Sequence, residues 1–247
     1  MFIRVLQGCE YTRSDTGLPA LLTAICYQNS KTLGHPSQRP LVLTDILGQG
    51  KILHVEHIEV ILEEVQWAMN TARSSLARWK DQQGYYNNRL NSHFKGKLGE
   101  IAVEKFLTNN NLKCDSHFRF FDRENLADIV LKIKGYKKIV RIEVKTWSTN
   151  YWEELGRCIA VDQFLDLKKK SDVIVWCLTD IHDIPNNLAS TIITLCGWST
   201  INDIQNAPVK LTGLENMRKV KNYQLSETDL RDMNTFLTSI SNSKDLH

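Results

Sequence analysis

The chain of 247 residues has no apolar stretch approaching the ~20 residues that a membrane-spanning helix needs. Met1-Phe-Ile-Arg4 opens no long apolar leader core. A soluble, cytoplasmic protein is therefore expected. Six cysteines, at 9, 26, 114, 158, 177 and 196, show no CxxC or paired spacing, and they read as reduced core thiols, two of them inside apolar strands. There is no internal repeat, no glycine-rich phosphate loop and no helicase motif, so an energy-coupled enzyme with a nucleotide cofactor is not expected. Excess charge is missing too. Lys plus Arg number 31 and Asp plus Glu 28, a net +3 that neither demands nor excludes nucleic acid.

What is there is unevenly distributed. Between Thr71 and Leu98 stand Arg73, Arg78, Lys80, Arg89, Lys95 and Lys97 against one acid, Asp81, with Trp79, Tyr85 and Tyr86 interleaved. This stretch suits a phosphate backbone, and it equally suits a solvated helix flank. Ile58, Ile61, Leu62, Val65, Met69, Ala72, Leu76 and Trp79 recur at helical spacing, which predicts one long amphipathic helix from about His54 to Gln82. Its stripe is either core or an interface. His54 and His57 lack a Cys or acidic partner at ligand spacing, and a metal site there is disfavoured. Thr32 to Gly50 reads as loop around Leu41-Val-Leu43.

Two short β-branched runs carry the chemistry. Ala127-Asp-Ile-Val-Leu-Lys-Ile-Lys134 and Lys138-Ile-Val-Arg-Ile-Glu-Val-Lys145 flank Gly135-Tyr136, a two-residue turn of type II′ character. An antiparallel hairpin symmetric about that bond pairs Asp128 with Glu143. Alternation then puts Ile129, Leu131, Ile133, Val140, Ile142 and Val144 on one face and Asp128, Glu143 and Lys145 on the other. Facing carboxylates destabilise a strand pair, and a divalent cation between them supplies a reason for the arrangement. The alternative is a solvated face on which Arg141 and Lys145 form ordinary ion pairs with Asp128.

Asp128, fourteen intervening residues, then Glu143-Val144-Lys145 resembles the motif of the PD-(D/E)XK nuclease superfamily, with Ala127 where the family name has proline. Gly96-Lys-Leu-Gly-Glu100-Ile-Ala-Val-Glu-Lys-Phe-Leu107 is similar to the family's first core helix, which often carries a Glu at the place of Glu100. Glu100 also lies off the Leu98, Ile101, Ala102, Phe106 stripe, so an exposed position beside Glu104 is the other reading. A helix over Ala160 to Lys170, an apolar strand Val173 to Leu178 and a second, Thr191 to Cys196, ending at Gly197-Trp198, complete the order helix, hairpin, helix, strand, strand.

The resemblance implies an α/β fold, a mixed central sheet flanked by helices with a restriction-endonuclease-like core over 90–205. Residues 1–89 and 206–247 lie outside the resemblance: the first are expected to be an N-terminal helical extension, a candidate for dimerisation or DNA targeting, and the second a C-terminal extension whose last helix opens at Ser226-Glu-Thr-Asp229. The resemblance implies a Mg²⁺-dependent deoxyribonuclease of restriction or phage-defence type, with Mn²⁺ as a substitute. Asp128, Glu143 and the Val144 carbonyl hold the ion, Glu100 reaches a second, Lys145 orients or deprotonates water, and Lys95, Lys97 and Arg141 contact DNA. A structure-specific nuclease such as a Holliday junction resolvase shares the core. A nucleic-acid-binding or assembly module with a vestigial site is the reading from another class. Cutting both strands calls for two sites, most simply a C₂ homodimer through the long helix and its Leu76 and Trp79.

Overall fold

The computed structural model of the chain describes residues 54–78, 89–120, 126–132, 139–213 and 219–241. Its sheet grows outward from the most apolar segment, β6 (Val173–Thr179), which is buried at all seven positions. A strand apolar on both sides must be covered on both sides. Val173, Val175 and Cys177 enter one core, and Ile174, Trp176 and Leu178 enter another on the opposite face.

Strand β4 (Ile139–Ser148) lies parallel to β6, and β7 (Thr191–Thr200) lies antiparallel on its other side. With β1 (Glu56–Val60), β2 (Cys114–Ser116) and β3 (Ile129–Lys132), the order of the six-stranded mixed sheet is β1-β7-β6-β4-β3-β2. A parallel pair needs a crossover. Here it runs through α3 (Thr149–Leu155), β5 (Cys158–Ala160) and α4 (Val161–Lys170).

One face of the sheet is covered by α1 (Leu62–Arg78), α2 (Arg89–Asn109) and the last helix, α6 (Met233–Ser241). The other is covered by α3, α4 and α5 (Ile201–Asn206). Beside them β5 joins β8 (Val209–Thr212) and β9 (Val220–Gln224) in a second, three-stranded sheet. This is the expected α/β class with helices on both faces. No helix among the described residues is long and apolar enough to cross a membrane. Cys177 and Cys196 are buried free thiols, as expected, and burial pushes Cys196 up to about 12.

Three elements depart from expectation. Where a single helix from His54 to Gln82 is expected, residues 54–78 form a strand followed by a helix: Ile58 and Val60 are buried while His57 and Glu59 are exposed. Pairing of Ile58 with Ile193 on β7 therefore overrides the helical spacing of Ile58, Ile61 and Leu62. The helix starts after Ile61, whose N–H donates to Glu64 Oε2 at 2.9 Å, half of a capping box. The sheet thus takes in residues upstream of 90. Val65, Ala68, Met69 and Ala72 are spent in the core, so that part of the stripe offers no interface, and Trp79 lies outside the described residues.

Strand β7 does not stop at Gly197-Trp198. It continues to Thr200, with Gly197 at φ 156°, where a Cβ would stand 2.8 Å from the Arg231 carbonyl oxygen. Trp198 and Arg231 exchange two backbone hydrogen bonds there, at 3.0 and 2.8 Å. The Ser226 capping box is present but closes only the 3₁₀ turn Glu227–Asp229; the last helix begins at Met233.

Candidate active site at the fork between two strands

Strand β4 changes neighbours halfway along. It pairs with β3 from Ile139 to Ile142 and with β6 from Ile142 to Ser148. Past Ile142 no strand among the described residues pairs with the side of β4 that faced β3, and the sheet forks. The register Ile129↔Ile142 to Lys132↔Ile139 is the one expected, and one further step sets Asp128 opposite Glu143. The Gly135-Tyr136 turn lies outside the described residues.

Asp128 closes the fork. Its Oδ2 accepts the Val144 N–H at 2.8 Å, so a carboxylate stands where β3 would have offered a carbonyl. In an extended strand the N–H and C=O of one residue point to the same side, which aims the Val144 carbonyl into the fork as well.

Glu143 is buried, with 4% of its surface exposed. Lys145 Nζ donates to Oε1 and Lys170 Nζ to Oε2, both at 2.8 Å, and Ser171 Oγ donates to Oε2 at 3.4 Å. The solvated-face alternative does not describe this arrangement. Arg141, its proposed partner for Asp128, turns to Asp172 at 2.7 Å and to the Lys169 carbonyl.

Glu100 arrives from α2. The helix can lie against β4 because Gly99 has no side chain: a Cβ there would fall 1.9 Å from Thr146 Oγ1. Residues Leu98 to Val103 are buried without interruption, Glu100 included. The exposed reading of Glu100 is therefore replaced by a buried one, with Lys97 Nζ 2.6 Å from Oε2.

Asp128 and Glu100 both feel the charge of Glu143. Burial, then the charge of Glu143, then that of Glu100, hold Asp128 well above the usual carboxylate range. Burial also raises Glu100, Lys97 offsets part of it, and Glu143 adds to the rise. Burial works against ionised Glu143 too, but Lys145 followed by Lys170 outweighs it and its carboxyl sits below the ordinary value. One acid of a facing pair is thus favoured as the anion and the other opposed. A divalent cation would relieve that opposition, and the hard oxygens of Asp128, Glu143 and the Val144 carbonyl are the donors Mg²⁺ takes. Among the described residues no three His, Cys, Asp or Glu side chains close into a cage; Mg²⁺ that keeps several waters does not require one.

The residues expected at DNA are otherwise engaged. Lys95 is buried, donates to Ser148 Oγ at 2.9 Å and is lowered by burial. Lys97 is bound to Glu100 and Arg141 to Asp172. A cleft of about 570 Å³ opens beside the fork, with Ala127, Val130, Arg141, Asp166, Lys169 and Lys170 in its lining. Lys170 and Ser171 are site residues that sequence reasoning missed. They reach Glu143 only because β6 begins beside Ile142 in parallel register. No protein-family model matches the chain, and no curated protein matches it in sequence.

Proposed function

We propose that the chain is a divalent-metal-dependent endonuclease that hydrolyses DNA phosphodiester bonds, with a restriction-endonuclease-like core of the PD-(D/E)XK kind, acting in the cytoplasm in restriction or phage defence. One observation carries the reading: at a sheet fork Asp128 binds the Val144 amide opposite buried Glu143, Lys145 binds Glu143, and the charges of Glu143 and Glu100 both bear on Asp128. Buried carboxylates that oppose one another cost stability and persist where function requires them.

Asp128, Glu143 and the Val144 carbonyl would hold Mg²⁺ or Mn²⁺, with Glu100 on the far side. The bound ion supplies charge stabilisation and a lowered water pKa. Lys145, salt-bridged to Glu143, is suited to orient the attacking water and to offset charge on the phosphate, not to take the proton. Asp128 holds the Val144 amide and so fixes the carbonyl direction beside it. Cutting both strands calls for two sites, for which a C₂ homodimer is the simplest arrangement. The buried stripe of α1 does not supply that contact.

The test is an assay on plasmid, linear, single-stranded and branched DNA with Mg²⁺ and with EDTA. Metal-dependent cleavage lost in Glu143→Gln is expected. Preference for branched DNA would redirect the reading to a structure-specific nuclease. Neither cleavage nor cation binding would leave the binding-module reading.

A further inference from the structure

Lys170 occupies two places at once. Its ammonium is 2.8 Å from Glu143 Oε2, and its side chain lines the cleft beside the fork. Lysines in the last turn of a helix commonly serve only the helix end, and Lys168 and Lys169 fit that description, bound to Gln205 and Asp166. Lys170 differs. Its partner is a carboxylate with 5% of its side chain exposed, while Lys170 itself keeps 27%.

A divalent cation entering at Glu143 meets an ammonium already on each of its oxygens, and like charge opposes like at one carboxylate. Lys145 is bound to the same strand two residues away. Lys170, at the end of α4, also lines the cleft, and a turn of its long side chain would carry the ammonium from Glu143 into it.

Resting on the nuclease reading, we propose that Lys170 is a positioning residue that holds the place of the metal at Glu143 in the empty site and moves to a phosphate oxygen of the nucleic acid in the cleft when the site is filled. The charge around Glu143 is then balanced in both states. The neighbouring phosphate gains a cation only once metal has bound. Loading of metal and capture of substrate are coupled through one side chain.

The experiment compares the wild type with Lys170→Met, which keeps the aliphatic stem, Lys170→Gln, and Lys168→Met as a control outside the site. Mn²⁺ binding is followed by calorimetry without DNA. Binding of a short DNA duplex in Ca²⁺ is followed across salt concentrations. Removal of the competing ammonium should tighten Mn²⁺ binding about tenfold or more, a gain that loss of a structural contact does not produce. The same variants should bind the duplex more weakly, with a salt dependence reduced by about one phosphate contact, and Lys168→Met should match the wild type. If the wild type binds Mn²⁺ and the Lys170 variants bind it no more tightly, the place-holding role is overturned while the nuclease reading stands. Unchanged duplex affinity and salt slope would overturn the transfer to phosphate. Failure of wild type and variants alike to bind Mn²⁺ would overturn both.

Discussion

Gly99 of α2 and Thr146 of β4 are in such close approach that a Cβ on the glycine would lie 1.9 Å from Thr146 Oγ1 and 3.1 Å from its Cβ. Gly99→Ala should therefore force the helix away from the strand. The expected loss is about 1–3 kcal/mol in chemical denaturation, with cleavage falling because Glu100 is the next residue. Thr146 Oγ1 is buried and has no hydrogen-bond partner among the described residues, so Thr146→Ala alone should be close to neutral. The double variant should recover part of the loss, leaving the 3.1 Å contact. Equal stability of Gly99→Ala and wild type would contradict the packing.

Asp128→Asn, Glu143→Gln and Lys145→Ala should each abolish cleavage, and near wild-type activity in any two would sink the assignment. Their stabilities should part company. Asp128 is raised in the folded state, so the folded chain holds more proton than the unfolded chain between the unfolded and folded values. Stability falls as pH rises through that window. Glu143 is lowered, so its contribution is present above the unfolded value and is lost as pH falls through the depressed one. Metal-free Asp128→Asn should thus melt higher than wild type at neutral pH, with the gap closing in acid. Glu143→Gln should melt lower.

Mg²⁺ or Mn²⁺ should stabilise the folded chain, by about 2.7 kcal/mol at a hundredfold excess over Kd, and so raise its melting temperature. The rise should be larger at neutral than at acid pH, because protons compete for Asp128. Ca²⁺ should bind and support little cleavage. A thermal shift independent of pH would place the ion elsewhere.

Away from the site, Asp203 accepts from Arg231 at 3.0 and 3.1 Å and from the Thr200 amide at 2.7 Å. Burial opposes its ionised form, and Arg231 with Thr200 prevails, so its carboxyl lies below the usual range. Its contribution is present above the unfolded value and disappears as pH falls through the lowered one. Asp203→Ala should cost about 1–2 kcal/mol through the lost cap, read in urea, with cleavage rates kept. A loss of activity at full stability would show that this corner reaches the fork.

How much of this was legible in the sequence varies with the kind of interaction. The facing of Asp128 and Glu143 follows from period-two alternation and a two-residue turn, both local. Strand β6 is legible because a strand covered on both faces has no polar position to spare. Strand β1 is not, since Ile58, Ile61 and Leu62 satisfy helical spacing and only the distant partner Ile193 decides. Glu100 misleads because α2 is enclosed all round at its middle, where an amphipathic stripe has no meaning. Lys170 depends on the parallel register of β6 against β4, which the crossover sets and no local pattern encodes.

The fork has one more consequence. The Val144 amide, buried beside the core, has a single side chain, Asp128, to accept its hydrogen bond. Variants that silence the site are thus not equivalent in handling. Asn at 128 still presents a carbonyl oxygen to that amide, whereas Ala at 128 leaves a buried amide without its acceptor, a cost of about 1–3 kcal/mol that loosens this strand edge as the chain warms. Asp128→Ala should show concentration-dependent aggregation on warming that Asp128→Asn does not, and the amide variant is the one to use wherever an inactive chain must stay dispersed.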